Sequence, residues 1–297
     1  MKIEKYINIL ACPSCQHQTL KLKNKQLYCP KCHTVYPIKK DIPFLLPNGL
    51  LDKQENNQLE TFNKHYKKQQ TIGLEQLWRQ SMIKRIFNHQ FIKKIHSYLD
   101  IGCGSNAYTV FSALKNKQLD MAVGIDISAE AIKIATQKSI QNKTSQKTIF
   151  IIASAQHLPF KKNTFDYISA ISVLEHLKDQ DLCLSSINHI LKQDKYFFMV
   201  VPNSYRLLPH WLRPIKKYFD DKIGHLRSYS KQDINKLSRK HDFVIKKIFY
   251  NGHLLKIFQI MASRFNIINQ KIWWYLEEKD INLKNNGAQL NVMLKKT

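Results

Sequence analysis

The run Tyr98-Leu99-Asp100-Ile101-Gly102-Cys103-Gly104-Ser105-Asn106-Ala107 decides the fold. A short apolar stretch meets two glycines, and residues 108–115 then read as a helix. Strand, glycine-rich turn and helix together bring backbone close to a ligand and aim a helix N-terminus at it. A Gly-x-Gly pair alone is a weak signal; its surroundings strengthen it. Asn106 stands where a third glycine is expected, and Asn also tolerates a left-handed backbone. Asp100 opens the turn. The next strand, Met121-Ala-Val-Gly-Ile-Asp126, ends in a carboxylate that can accept both hydroxyls of a ribose. The two acids lie 26 residues apart, slightly more than the ~20 of a dinucleotide fingerprint.

Outward from this run, the pattern repeats. Apolar strands are predicted at 148–153, 165–172 and 196–201, with helices at 129–142 and 179–192 between them. Residues 59–97 read as helical, and 243–250 and 290–294 as strands six and seven. Alternating strands and helices argue for an α/β fold, a parallel sheet covered on both faces. Asp166, at a strand start, reads either as a local bond acceptor or as a support for the site.

Taken together, LDIGCGSNA (99–107), GIDIS (124–128), SAQHLPF (154–160) and FDYISAISVLEHL (165–177) resemble the successive motifs of class I S-adenosylmethionine-dependent methyltransferases. The similar group is the broad one of ubiquinone-biosynthesis and sugar or polyketide methyltransferases, and the resemblance covers about residues 60–250. It implies a Rossmann-like, doubly wound, mostly parallel seven-stranded sheet, with S-adenosylmethionine as cofactor. By position it places Asp100, Gly102 and Gly104 in the loop on the methionine side. Asp126 would hold the ribose, Ile127 would pack on adenine, and Ser154 and Ala155 would border the adenine edge. Val173 to His176 would line the floor beneath the sulfonium. Ser154 departs from the family, which often has Asp there; a hydroxyl is a weaker acceptor for the adenine amino group.

Nearer the N-terminus stand two knuckles, Cys12-Pro-Ser-Cys15 and Cys29-Pro-Lys-Cys32, separated by 13 residues. Residues 20–28 alternate around Asn24-Lys25, as a hairpin should, and would bring the knuckles face to face. Four thiolates favour a closed, structural Zn²⁺ site, with His17 and His33 as bystanders. About 45 residues cannot build a large core, so the metal would supply folding energy. Residues 9–47, including Tyr36-Pro37-Ile38 and Ile42-Pro43-Phe44-Leu45-Leu46-Pro47, resemble the zinc ribbon of the tRNA-methyltransferase activator family. In that family the ribbon supports a methyltransferase as partner or fused module. The expected organisation is a zinc-ribbon domain at 1–50 and a methyltransferase domain at 51–297, with insertions at about 203–228 and 251–287.

The acceptor side is expected from the aromatic and basic residues 203–228 and the following His225-Leu-Arg227-Ser-Tyr229-Ser230. Ser230 and Asp233 form a capping box, which sets Arg227 and Tyr229 just before a helix. The similar methyltransferases border their acceptor pocket with such a stretch, making Arg227 and Tyr229 the substrate-binding candidates. His176 and His225 are the candidate general bases. The apolar run of 251–287 reads as a packed cover helix, or as a lid or membrane-surface helix for a lipid-linked acceptor.

The chain has 297 residues, 47 basic against 22 acidic, a formal net charge of +25. Residues 181–297 alone hold 21 basic and 9 acidic. Such a surface attracts nucleic acid or anionic lipid, although Arg is rare and the Lys residues are dispersed. With 43% hydrophobic residues and only 8 Gly, a disordered or collagen-like chain is excluded. No apolar stretch reaches the ~18 residues of a membrane span, and residues 1–10 do not read as a signal peptide; a cytoplasmic location is expected. The expected function is methyl transfer to a small-molecule or glycan-type acceptor, on oxygen. The alternatives are an rRNA or tRNA methyltransferase and a non-catalytic zinc-ribbon binding module. The oligomeric state stays open.

Overall fold

The structure, a computed structural model, describes residues 2–47, 94–204, 224–252, 270–283 and 287–297, together with six helical positions between 59 and 87. Residues 48–58, between the ribbon and the expected helix, the aromatic and basic run at 205–223 and the apolar run at 254–261 lie outside the described residues.

Two short hairpins open the fold. β1 (Lys21–Lys23) and β2 (Gln26–Tyr28) pair antiparallel. Their turn residues Asn24 and Lys25 are both left-handed, φ 50° and 59°, the twist that matches two-residue hairpins. β3 (Val35–Lys39) and β4 (Ile42–Leu45) turn through Lys40 and Asp41 in the same way.

The alternating region follows: β5 (Ser97–Ile101), α1 (Tyr108–Ala113), β6 (Met121–Asp126), α2 (Ala129–Gln141), β7 (Thr148–Ala153) and β8 (Phe165–Ile171). Then come α3 (Gln180–Ile190), β9 (Leu191–Pro202), α4 (Lys231–Lys240), β10 (Phe243–Asn251), α5 (Gln270–Asn282) and β11 (Gln289–Lys296). The caps are local and readable. Ser128 Oγ accepts the Ala131 N–H, Asp179 accepts the Leu182 N–H, and Ser230 with Asp233 forms the expected capping box.

The sheet order is β1-β2-β3-β4-β7-β6-β5-β8-β9-β11-β10. β7, β6, β5, β8 and β9 run parallel, and β11 inserts antiparallel between β9 and β10. The seven strands β5–β11 make the expected doubly wound, mostly parallel sheet. Its direction of winding reverses at β5, which pairs β6 on one side and β8 on the other. Ligands of such sheets sit outside the carboxyl ends of the strands at that reversal.

The helix expected over 59–97 does not reach its end, since residues 94–96 are irregular and Ser97 opens β5; two further features differ from the sequence expectation. Strand five begins at Leu191, five residues early, and the preceding helix stops at Ile190. The reason is distant in sequence: the Lys296 ammonium donates to the carbonyls of Asn188 (2.6 Å) and Leu191 (2.7 Å), satisfying the helix end. Second, the ribbon is joined to the large sheet. β4 pairs parallel with β7, Phe44 against Ile152 and Leu45 against Ala153. The Ala11 N–H donates to the Pro159 carbonyl and the Lys161 N–H to the Ile9 carbonyl. Buried Leu10, Leu27, Tyr36 and Leu45 continue into Phe160, Ile151 and Leu99 as one core. The ribbon thus borrows its core from the sheet it extends.

Candidate active site

At the reversal, the loop after β5 turns through Gly102 and Gly104, φ 70° and 62°. A methyl on Gly102 would lie 2.6 Å from Val173 Cγ2, because Val173, just past the end of β8, packs directly on this turn. Gly102 is exposed, and Gly104, Ile127, Ala155 and Val173 remain half-buried, so the carboxyl ends of β5–β8 stay open. The third left-handed residue is Ala107, φ 43°, one position beyond the expected Asn106. Asn106 instead accepts a hydrogen bond from the Lys138 ammonium.

The two acids have different surroundings. Asp100 is buried and accepts the hydroxyls of Ser169 (2.5 Å) and Thr109. Burial raises its pKa to about 7 despite those donors. Its carboxylate is thus engaged by β8 and α1 and holds the loop between them. Asp126 accepts the Ser128 N–H on Oδ1 (2.9 Å) and the Gly104 N–H on Oδ2 (3.0 Å). Each oxygen keeps a further lone pair, so a vicinal diol fits this carboxylate. Burial raises its pKa to about 6. The Ser154 hydroxyl oxygen accepts the Gln156 N–H at 3.2 Å, and Gln156 in turn accepts the Asp179 N–H at the start of α3.

Beyond Val173, a single 3-10 turn, Leu174–His176, carries Glu175 and His176. The segment from Gly224 docks on it, with the Leu226 N–H donating to the Glu175 carbonyl at 2.8 Å. His176 Nδ1 lies 3.0 Å from the Gly224 carbonyl, an acceptor only, so Nδ1 carries the proton and Nε2 the lone pair. The rings of His176 and His225 meet edge-on, centroids 5.0 Å apart. His225 Nε2 is 3.9 Å from Glu175 Oε1. Glu175 is 1% exposed, and its Oε2 has no hydrogen-bond partner. Burial lifts its pKa to about 8 and depresses that of His176.

The structure therefore brings Asp100, Gly102, Gly104, Asp126, Ile127, Ser154, Ala155, Val173, His176 and His225 to one end of the sheet. Tyr229 is buried in the core, its hydroxyl donating to Gln180 at 2.8 Å, and the Arg227 guanidinium donates to the Lys178 carbonyl. The sequence offers Glu175 only within the floor stretch 173–176, beside His176, and not as a partner of His225. Its signal was an acid beside a histidine in an apolar run, which reads equally well as a helix entry.

In the ribbon, Cys12, Cys15, Cys29 and Cys32 offer sulfurs all within 4.8 Å of one another. Cys12–Cys32 and Cys15–Cys29 are each 3.6 Å apart. A tetrahedral ion with bonds of ~2.3 Å spans edges of about 3.8 Å, so Zn²⁺ fits. Gln16 and His33, each following the second Cys of its knuckle, share a left-handed φ of 56° and 59°. His33 bonds Tyr28 through its ring. Thr34 and Tyr36 hydroxyls lie 3.2 and 3.1 Å from Cys32 and Cys12, supporting the thiolates from outside.

A profile of the methyltransferase-domain family matches residues 53–248. The chain belongs to that family. A Trm112p-like profile matches residues 4–41. The protein is an S-adenosylmethionine-dependent methyltransferase with a Trm112p-like zinc ribbon at its N-terminus. It is 27% identical to the demethylmenaquinone methyltransferase of Lactiplantibacillus plantarum over 54% of this chain and 74% of that one. It is 30% identical to the ubiquinone/menaquinone biosynthesis C-methyltransferase of Rickettsia prowazekii over 41% of this chain, and spans about half (48%) of that relative. In fold it resembles the geranyl diphosphate C-methyltransferase of Streptomyces coelicolor, solved with S-adenosyl-L-homocysteine (TM-score 0.56, 11% identity, 73% of this chain and 76% of that one). A chain from the complex of the Haloferax volcanii Trm112 methyltransferase activator with a methyltransferase is similar too (TM-score 0.54, 14% identity, 82% and 97%). No helix among the described residues is long and apolar enough to cross a membrane.

Proposed function

We propose that this methyltransferase carries the methyl group of S-adenosylmethionine to an oxygen of a small-molecule or glycan-type acceptor. One observation carries the reading: the exposed Gly102 turn, with Val173 packed on it, stands two residues from the polar corner of buried Glu175 and half-buried His176 and His225. On the donor side, Asp126 accepts the ribose hydroxyls, Ile127 packs on adenine, and Ser154 and Ala155 border its edge. Asp100 holds the loop of Gly102 and Gly104, and Val173 forms the floor at the sulfonium.

The bound donor supplies an already activated methyl group. The chain's own task is to align the attacking atom, exclude water and handle the acceptor's proton. The corner does the last. His176, with Nδ1–H fixed on Gly224, directs a basic Nε2, and burial keeps the ring neutral. His225 stands against it as the second base candidate. Arg227 orients an anionic group of the acceptor, and Tyr229 holds the adjoining wall through Gln180. A second reading, an RNA acceptor, is supported by the Trm112p-like segment and by the 21 basic against 9 acidic residues of 181–297.

The test is to incubate the protein with isotopically labelled donor and separated host fractions, then follow the label by mass spectrometry. Label in the small-molecule fraction is expected. Label confined to RNA would replace the first reading with the second.

A further inference from the structure

Glu175, His176 and His225 form a compact cluster of metal-ligating side chains. Each offers a ligand atom, and the three lie within 4.8 Å of one another. They come from two segments 48 residues apart, held together by the Leu226–Glu175 and His176–Gly224 bonds. We propose that these three side chains hold one divalent transition-metal cation at the acceptor end of the donor crevice, separate from the ribbon ion.

Three observations support the site. The first is Glu175 itself, a carboxyl 1% exposed with an oxygen that no hydrogen bond satisfies. A buried, unsatisfied acceptor is costly, and a cation ligated there removes the cost. The second is the orientation of His176. Metal-bound imidazoles commonly donate their other N–H to a backbone carbonyl, and the Gly224 carbonyl occupies that place. The third is the donor set. Two imidazoles and one carboxylate make the three-ligand set of catalytic metal centres, which keep a position open for substrate. The four-cysteine ribbon is a closed set with no such position.

The proposal rests on the reading of this crevice as the place of methyl transfer and sharpens it. A cation here would bind an acceptor through oxygen and lower the pKa of a ligating hydroxyl, as metals do for bound water. The two imidazoles would then serve as ligands rather than as free bases. The acceptor class becomes one with an oxygen able to ligate a metal, such as a phenol, an enol or a vicinal diol.

The experiment uses the untagged full chain with its ribbon loaded with Zn²⁺ and titrates Co²⁺. One further equivalent of Co²⁺ should give visible d–d absorption without an intense thiolate-to-cobalt charge-transfer band. Glu175→Gln and His225→Ala should each raise the Kd for Co²⁺ at least tenfold. Both variants should keep the thermal transition of the parent, which separates lost ligation from lost folding. Absence of a second cobalt site, or equal cobalt binding by both variants, overturns the metal site. If donor binding persists in that case, the crevice reading survives; if calorimetry shows no donor binding to the parent either, both fail.

Discussion

Asp126 Oδ2 accepts the Gly104 N–H at 3.0 Å, so the acid that ends β6 also braces the loop that follows β5. One carboxylate thereby sets the loop geometry and faces the crevice. Burial lifts its pKa to about 6, above the ~3.9 of an unfolded Asp. The sign follows: the folded state holds this proton more tightly, so the group favours folding below pH 4 and loses that contribution as pH rises through 6. Under the proposed assignment, donor binding runs the other way, because ribose hydroxyls would donate to the ionised form. Affinity for S-adenosylmethionine should rise about tenfold from pH 5 to pH 7 and then level off, following the ionised fraction. Asp126→Asn should flatten that profile and weaken binding at pH 7 by about 10–100-fold. Calorimetry across pH checks both, and an unchanged profile in the variant would sink the assignment.

Gly102→Ala should cripple the crevice. Its φ of 70° costs an L-residue about 1–2 kcal/mol, and the new methyl would stand 2.6 Å from Val173 Cγ2. Donor affinity should fall at least tenfold. Adding Val173→Ala removes the clash but not the backbone strain, so the double variant should recover only part of the loss. Full recovery would show that the left-handed backbone is not needed.

Asp166 clamps the far ends of the two strands that flank the crevice. Its Oδ2 accepts the N–H groups of His96 (2.9 Å) and Ser97 (3.0 Å) and the Ser97 hydroxyl, and Lys192 sits on Oδ1 at 3.1 Å. Burial would raise its pKa, but the His96 N–H and the Lys192 ammonium outweigh that, leaving it below the usual range. Its contribution to stability is present above pH 4 and is lost as pH falls through the folded pKa. Asp166→Ala should cost about 1–3 kcal/mol in urea denaturation. Donor affinity should change little, because the clamp lies at the opposite end of β5 from Gly102. A large drop in donor affinity without destabilisation would assign Asp166 to the site instead.

Zinc removal should reach the methyltransferase sheet. β4 pairs β7 directly, Leu45 and Phe160 share one core, and Ser154 follows the last residue of β7. Cys29→Ser, or stripping by chelator, should unfold the ribbon and lower the Tm of the whole chain, at ~2–4 °C for each kcal/mol lost. Donor binding should weaken in parallel. An unchanged melting transition, with metal loss verified elementally, would show that the ribbon and the sheet fold independently.

The caps show how far local reading extends. The Ser230–Asp233 box needs only its own four residues, and it stands where the sequence places it. The Asn24-Lys25 turn is of the same kind. At Asn106 the reading stops one residue short, because Ala107 takes the left-handed position. Lys138, thirty-two residues on, engages the Asn106 side chain, and no local rule anticipates that partner.

By itself the sequence determined the α/β alternation, the seven core strands, the four-cysteine set and the glycine-acid pattern at residues 100–126. Each is written in spacing, and spacing follows from the period of a strand or helix and the reach of a short turn. Tertiary structure alone decided that β4 would extend the sheet at β7, that Lys296 would end α3, and that Glu175 would meet His225. Those contacts join groups about 50 to over 100 residues apart. They form because a buried edge, carbonyl or carboxylate must find a partner inside the fold, wherever along the chain that partner lies.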